Sequence, residues 1–98
     1  MIAFELIPDA LEKKGIELAM SQAKWETLEK NEKTELATIM LEYDGSISHR
    51  EMMARSNQKY KNFLETVRTA REEMLTNKAE INWLETAFEW YRSSNANE

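Results

Sequence analysis

From Met53 to Tyr91 the chain repeats a pair of positions every seven residues. Met53, Tyr60, Val67, Met74, Ile81 and Phe88 occupy one, and Ser56, Phe63, Ala70, Asn77, Leu84 and Tyr91 follow three residues after each. This is the seam of an amphipathic helix. No Gly or Pro occurs in residues 46 to 98, so the pattern predicts one helix over residues 49–93, about 45 residues and roughly 65 Å long at about 1.5 Å per residue. A rod of that length must lie along another helix, from its own chain or a second one.

An earlier helix is predicted over residues 8–43, preceded by an arm at 1–7. Pro8 suits a first helical turn, where its missing donor is not needed, and Asp9 and Glu12 place negative charge at the same end. The apolar positions run Leu11, Leu18, Trp25, Leu28, Leu36, Ile39, Met40 and Tyr43. Gly15 weakens the first turns by about 1 kcal/mol relative to Ala. Residues 26–35 hold only Leu28 as an apolar anchor, so this stretch is either solvated all round or the place of a bend; it is expected intact, with Glu26–Lys30 and Glu29–Lys33 as i,i+4 pairs. Gly45 can take the left-handed conformation that ends a helix, giving a turn at 44–48. Ser48 with Glu51 reads as a capping box bracketed by Ile47 and Met52, which starts the second helix at about His49.

The expected fold is therefore all-α: a single domain built as an antiparallel helical hairpin of two long helices, coiled-coil-like, with a frayed tail at 94–98. A break at Thr76-Asn77, with Asn77 capping a third helix, is the alternative; Met74 and Ile81 keep register across it and favour continuity. On a continuous seam Asn77 is a buried polar side chain of the kind that fixes register or partner number. Two helices bury one stripe each, so an oligomer is expected. A second apolar stripe, Ala79, Trp83, Ala87 and Trp90, supplies its candidate interface, because Trp is enriched at protein contacts.

Composition agrees: 98 residues, 42% hydrophobic and 32% charged, with two Gly and one Pro, suit a folded helical chain rather than an all-β one. No stretch approaches a membrane span, and residues 1–8 lack the pattern of a signal peptide, so a cytoplasmic location is expected. The absence of cysteine fits that location without requiring it. A net charge of −5 disfavours approach to phosphate unless cations gather on one face. Lys61, Arg68, Arg71 and Lys78 do recur along one flank of the second helix and are the candidate nucleic-acid contacts. Glu65, Glu72 and Glu73 stand close enough to neutralise them.

Catalytic chemistry has little raw material. One His and no Cys are present, and the carboxylates are spread along helix surfaces instead of converging. His49 stands at a helix start, where a solvent-facing imidazole is common. A helical di-metal site needs Glu-x-x-His, and position 46 is Ser. No enzyme, metal or cofactor is expected.

Several fragments of the second helix, Ala54-Arg55-Ser56 with Tyr60, Ala70-Arg71, Trp83-Leu84-Glu85 and Trp90-Tyr91-Arg92-Ser93, resemble small helical proteins of phages and prophages. With Lys24-Trp25 and the Gly-containing turn, residues 20–93 are more distantly similar to UvsY-type recombination mediators. That resemblance implies an oligomeric helical accessory protein, non-enzymatic, that acts on single-stranded DNA or its binding proteins during recombination or replication. The alternative is a protein–protein assembly or scaffolding module, or an acidic inhibitor of a host protein, with no nucleic-acid role. A secreted helical hairpin shares this size, but the Trp-x-Gly turn that would favour it is absent.

Overall fold

The structure, a computed structural model, describes residues 4–96. A 3-10 turn at Phe4–Leu6 leads into α1 (Ile7–Lys30), α2 (Glu32–Met40), α3 (Ile47–Ser56) and α4 (Gln58–Ala96). The all-α expectation holds. Residues 4–6 are thus not an open arm, and α4 runs through 94–96 where a frayed tail was expected; positions 1–3 and 97–98 lie outside the described residues.

The expected first helix is divided at Asn31, inside the polar stretch. Asn31 keeps a helical backbone (φ −85°, ψ −2°), and its N–H is shared between the carbonyls of Thr27 and Leu28, each at 3.2 Å. Beyond Met40 the chain tightens instead of continuing to Tyr43. Leu41, Glu42 and Tyr43 donate to carbonyls three residues back, the geometry with which helices commonly end. Gly45 then adopts φ 112°, the left-handed conformation expected of it.

The next helix starts earlier than the Ser48–Glu51 box implies. Ser46 is the cap, its Oγ accepting from the His49 N–H at 3.2 Å. Glu51 is drawn to Arg55 instead, and Ile47 and Met52 stay exposed, so no staple closes. A single helix over 49–93 is also not found. It is interrupted at Asn57, whose ψ of 138° is extended. Asn57 donates its N–H to Ala54 O and accepts the Lys59 N–H on Oδ1 at 2.8 Å, so one residue ends α3 and caps α4.

From Gln58 onward the helix is unbroken through Thr76-Asn77. Tyr60, Ala70, Met74, Asn77 and Leu84 are buried, and Phe63, Val67, Ile81, Phe88 and Tyr91 half-buried. The heptad seam is therefore real along the whole of α4. Upstream of Asn57 it fails: Met53 and Ser56 are exposed, and Ala54 is fully buried in their place.

The α1–α2 arm lies antiparallel along α4, in a molecule 75 × 18 × 16 Å across. Direction and register are read from a ladder of polar pairs. Lys14 Nζ meets Glu80, Ser21 Oγ meets Asn77, Glu32 meets the Tyr60 hydroxyl, and Glu42 meets Lys59. Ile39, Ala54 and Tyr60 form the buried cluster where α2, α3 and α4 converge, with Leu36, Met40 and Tyr43 packed on it. At the other end Ile7 is fully buried.

Candidate functional site

Charge is distributed unevenly round α4. Its first turns carry Lys59, Lys61, Glu65, Arg68 and Glu72. On the side turned away from the seam the last turns carry Thr76, Ala79, Trp83, Thr86, Ala87 and Trp90, none of them charged. Helical spacing of about 100° per residue puts these positions on one strip. The four interface candidates stand on it. Ala79 is exposed, Trp83 and Trp90 are 61% and 63% exposed, and Ala87 is half-buried. Leu75, 44% exposed, adds an apolar side chain beside Thr76 at the start of the strip; its place four residues before Ala79 was the available signal. A protein surface seldom leaves two indoles this open together, and depletion of charge is what marks the centre of an interface.

The basic flank is brought together only in part. Lys61, Arg68, Arg71 and Lys78 are all exposed. Arg68 is held by its own helix, pairing with Glu65 and, at 3.3 Å, with Glu72. The Glu65 carboxylate raises the Arg68 guanidinium's pKa, and Arg68 in turn lowers that of Glu65. Lys61, Arg71 and Lys78 form no ion pair among the described residues. The i,i+4 pairs expected at 26–33 do not close either; Glu26 accepts from Gln22 Nε2 at 3.2 Å.

Between α1 and α4 runs an open groove lined by Glu17, Met20, Ser21, Lys24, Glu73 and Asn77. Asn77 Nδ2 donates to Ser21 Oγ at 3.1 Å and to Glu17 O at 3.4 Å, while the Ser21 hydroxyl donates to Leu18 O at 3.0 Å. One turn further on, Lys14 sits between Glu80 and Glu17. Its pKa is raised chiefly by the hydrogen bond to Glu80, and that of Glu17 is lowered by the hydrogen bond from Lys14. Tyr60 is 2% exposed and donates to Glu32 at 3.0 Å. Burial, then the neighbouring carboxylate, push its phenol pKa up. These groups face each other across a seam and are used in holding the two arms together.

His49 is exposed at the start of α3 beside Gly45. Among the described residues no group of three or more His, Cys, Asp or Glu is placed to hold a metal ion, and no helix is long and apolar enough to cross a membrane. Comparison of the chain with protein-family models, curated proteins and solved structures finds no match.

Proposed function

We propose that this is a non-enzymatic helical accessory protein that self-associates through the uncharged strip of α4, with a second copy of the chain as the occupant. The observation that carries the reading is the pair of open indoles, Trp83 and Trp90, one heptad apart on a strip with no charge. An acidic chain repels its own copies. Two copies approach most easily where neither presents a carboxylate.

Aromatic side chains bury about 150–250 Å² each, so covering the exposed parts of both indoles removes about 250 Å² per chain, or ~500 Å² per dimer. At ~25 cal/mol per Å² this gives ~12 kcal/mol gross, against an association cost of roughly 4–15 kcal/mol. The dimer is therefore weak, in the micromolar range or above. Sedimentation velocity across a concentration series tests it. The wild type should shift toward dimer with concentration, and Trp83→Ser/Trp90→Ser should remain monomeric. Undiminished association of that variant would refute the assignment of the face.

A second reading is retained because Lys61, Arg71 and Lys78 present exposed cations with no carboxylate partner among the described residues. In it the assembled protein is a phage recombination or replication mediator that contacts single-stranded DNA along this flank. Anisotropy of a labelled oligonucleotide should then show salt-sensitive binding, lost in Lys61→Glu/Arg71→Glu/Lys78→Glu. The absence of binding at low salt would leave assembly as the function.

A further inference from the structure

Sequence periodicity and burial agree from Tyr60 to Tyr91 and part company at a single residue. In phase with Tyr60 and Phe63, the heptad places Met53 and Ser56 on the seam. In the structure Ala54 is fully buried there, while Met53 and Met52 are 37% and 57% exposed. Successive residues are about 100° apart round a helix, so α3 is seated one residue out of phase with α4.

The whole offset is absorbed at Asn57, the one residue between Ile47 and Ala96 outside a helix. It is held there by its own side chain. Oδ1 accepts the Lys59 N–H at 2.8 Å, and Nδ2 donates to the Tyr43 hydroxyl at 2.8 Å and to Glu42 Oε2 at 3.5 Å. Lys59 Nζ closes the circuit on Glu42. No Gly or Pro stands in the way of a continuous helix.

We propose that α3 has two seatings on α2, exchanged at Asn57. In the offset seating, seen here, Ala54 packs against Ile39 and Tyr60. In the in-phase seating α3 and α4 fuse into one helix from Ile47 to Ala96, and Met53 takes the place of Ala54. The offset seating gains the Asn57 hydrogen bonds and the Lys59–Glu42 pair. The in-phase seating gains an uninterrupted helix and the burial of a methionine where an alanine had been. Packed helices hold discrete arrangements of this kind instead of deforming continuously. The exchange turns α3 by about 100° about its axis and withdraws Met53 from the surface, so the closed end of the molecule presents two different faces.

The chain has no cysteine, which permits a direct readout of rotation. Met53→Cys and Ala54→Cys are made separately, each with and without Asn57→Ala, and thiol modification rates are measured. With Asn57 in place the thiol of Met53→Cys should react faster than that of Ala54→Cys, and Asn57→Ala should invert the order. If Asn57→Ala leaves the order unchanged, or makes both thiols reactive together, the proposal is overturned. Should Asn57→Ala not fold, Tyr43→Phe decides. Loss of one hydrogen bond to Asn57 should change the ratio of the two rates by about two- to tenfold toward the in-phase seating, and an unchanged ratio overturns the proposal.

Discussion

Asn77 is 8% exposed on a seam that is otherwise apolar to either side of it, and its partner Ser21 is 5% exposed. Asn77→Ala removes the 3.1 Å bond to Ser21 and the longer one to Glu17 O. The Ser21 hydroxyl keeps its bond to Leu18 O, so no donor is stranded. The expected cost is about 1–2 kcal/mol, from one neutral hydrogen bond and the space left by the amide. Ser21→Ala works differently. It leaves the Asn77 amide buried with only its long contact, and should cost about 1–2 kcal/mol through the unmet donor. Because the two changes remove the same interaction, the double variant should be less destabilised than the sum, by about 1 kcal/mol. Asn77→Leu with Ser21→Ala should match or exceed the wild type in stability, since replacing both polar partners by apolar groups removes the desolvation penalty along with the bond. Urea unfolding followed by circular dichroism at 222 nm, at one fixed low protein concentration, measures all four. A 1 kcal/mol change corresponds to about 4–8 °C in Tm for a chain of this size. Additivity of the two alanine variants within about 0.3 kcal/mol would refute the pairing.

The Tyr60 phenol has a raised pKa in the fold, so its contribution to stability is present below the ordinary tyrosine range and is lost as pH rises through the raised value. Absorbance at 295 nm should show one late-titrating tyrosine, absent in Tyr60→Phe; a single normal transition in the wild type would contradict the burial. The two glycines should respond with opposite signs. Gly15 is exposed, and an added Cβ meets nothing within 4 Å, so Gly15→Ala should raise stability by about 0.5–1 kcal/mol through helix propensity. Gly45 has φ 112°, and its added Cβ would stand 3.1 Å from His49 Cδ2. Gly45→Ala should therefore destabilise by about 1–2 kcal/mol, and equal Tm shifts of one sign in the two variants would exclude this account.

Along α4 the seam was legible because every signal for it is local: an uninterrupted helix with an apolar residue at nearly every third or fourth position. The opposing seam on α1 was legible only at Leu11, Leu18, Trp25 and Leu28. Lys14 and Ser21 lie on it too, as Glu32 does at the start of α2, and each reads as solvent-facing until its partner on α4, Glu80, Asn77 or Tyr60, is known. That information is not local to α1. The division at Asn57 was hidden for another reason. Met53 and Ser56 keep the heptad in phase across it, so periodicity argues for continuity just where a side chain overrides it. At the turn, two serines two residues apart competed for one cap. The Ser48–Glu51 spacing favoured the later one, but the left-handed Gly45 delivers the chain so that Ser46 meets the His49 N–H first. Leu75 stands off the seam of Met74 and Asn77, and the outer strip as read from sequence begins one turn later, at Ala79.

The polar ladder fixes which residues of the two arms stand opposite one another. A slide of α1 by one heptad would move Asn77 from Ser21 to Lys14 or Leu28, and Glu80 away from Lys14. Asn77, 8% exposed, would be left buried without its partner, at a cost of about 1–3 kcal/mol, whereas the solvent-accessible Lys14 and Glu80 would be taken up by water. Apolar contact alone would resist such a slide poorly, because the buried hydrophobic residues, Ile7, Ile39, Ala54, Tyr60, Ala70, Met74 and Leu84, include two alanines and are spread along the length of the rod. The buried Asn77–Ser21 pair therefore adds to the apolar seam in setting register. Trp83 and Trp90 stand about 120–140° round α4 from Asn77, off the seam with α1, and are 61% and 63% exposed, so in the proposed dimer the second copy covers these open faces. A core this thin gains proportionally more from that burial than a compact domain would. Since anything that binds only the folded state stabilises it by mass action, folding and self-association through the α4 strip form one linked equilibrium in the proposed dimer.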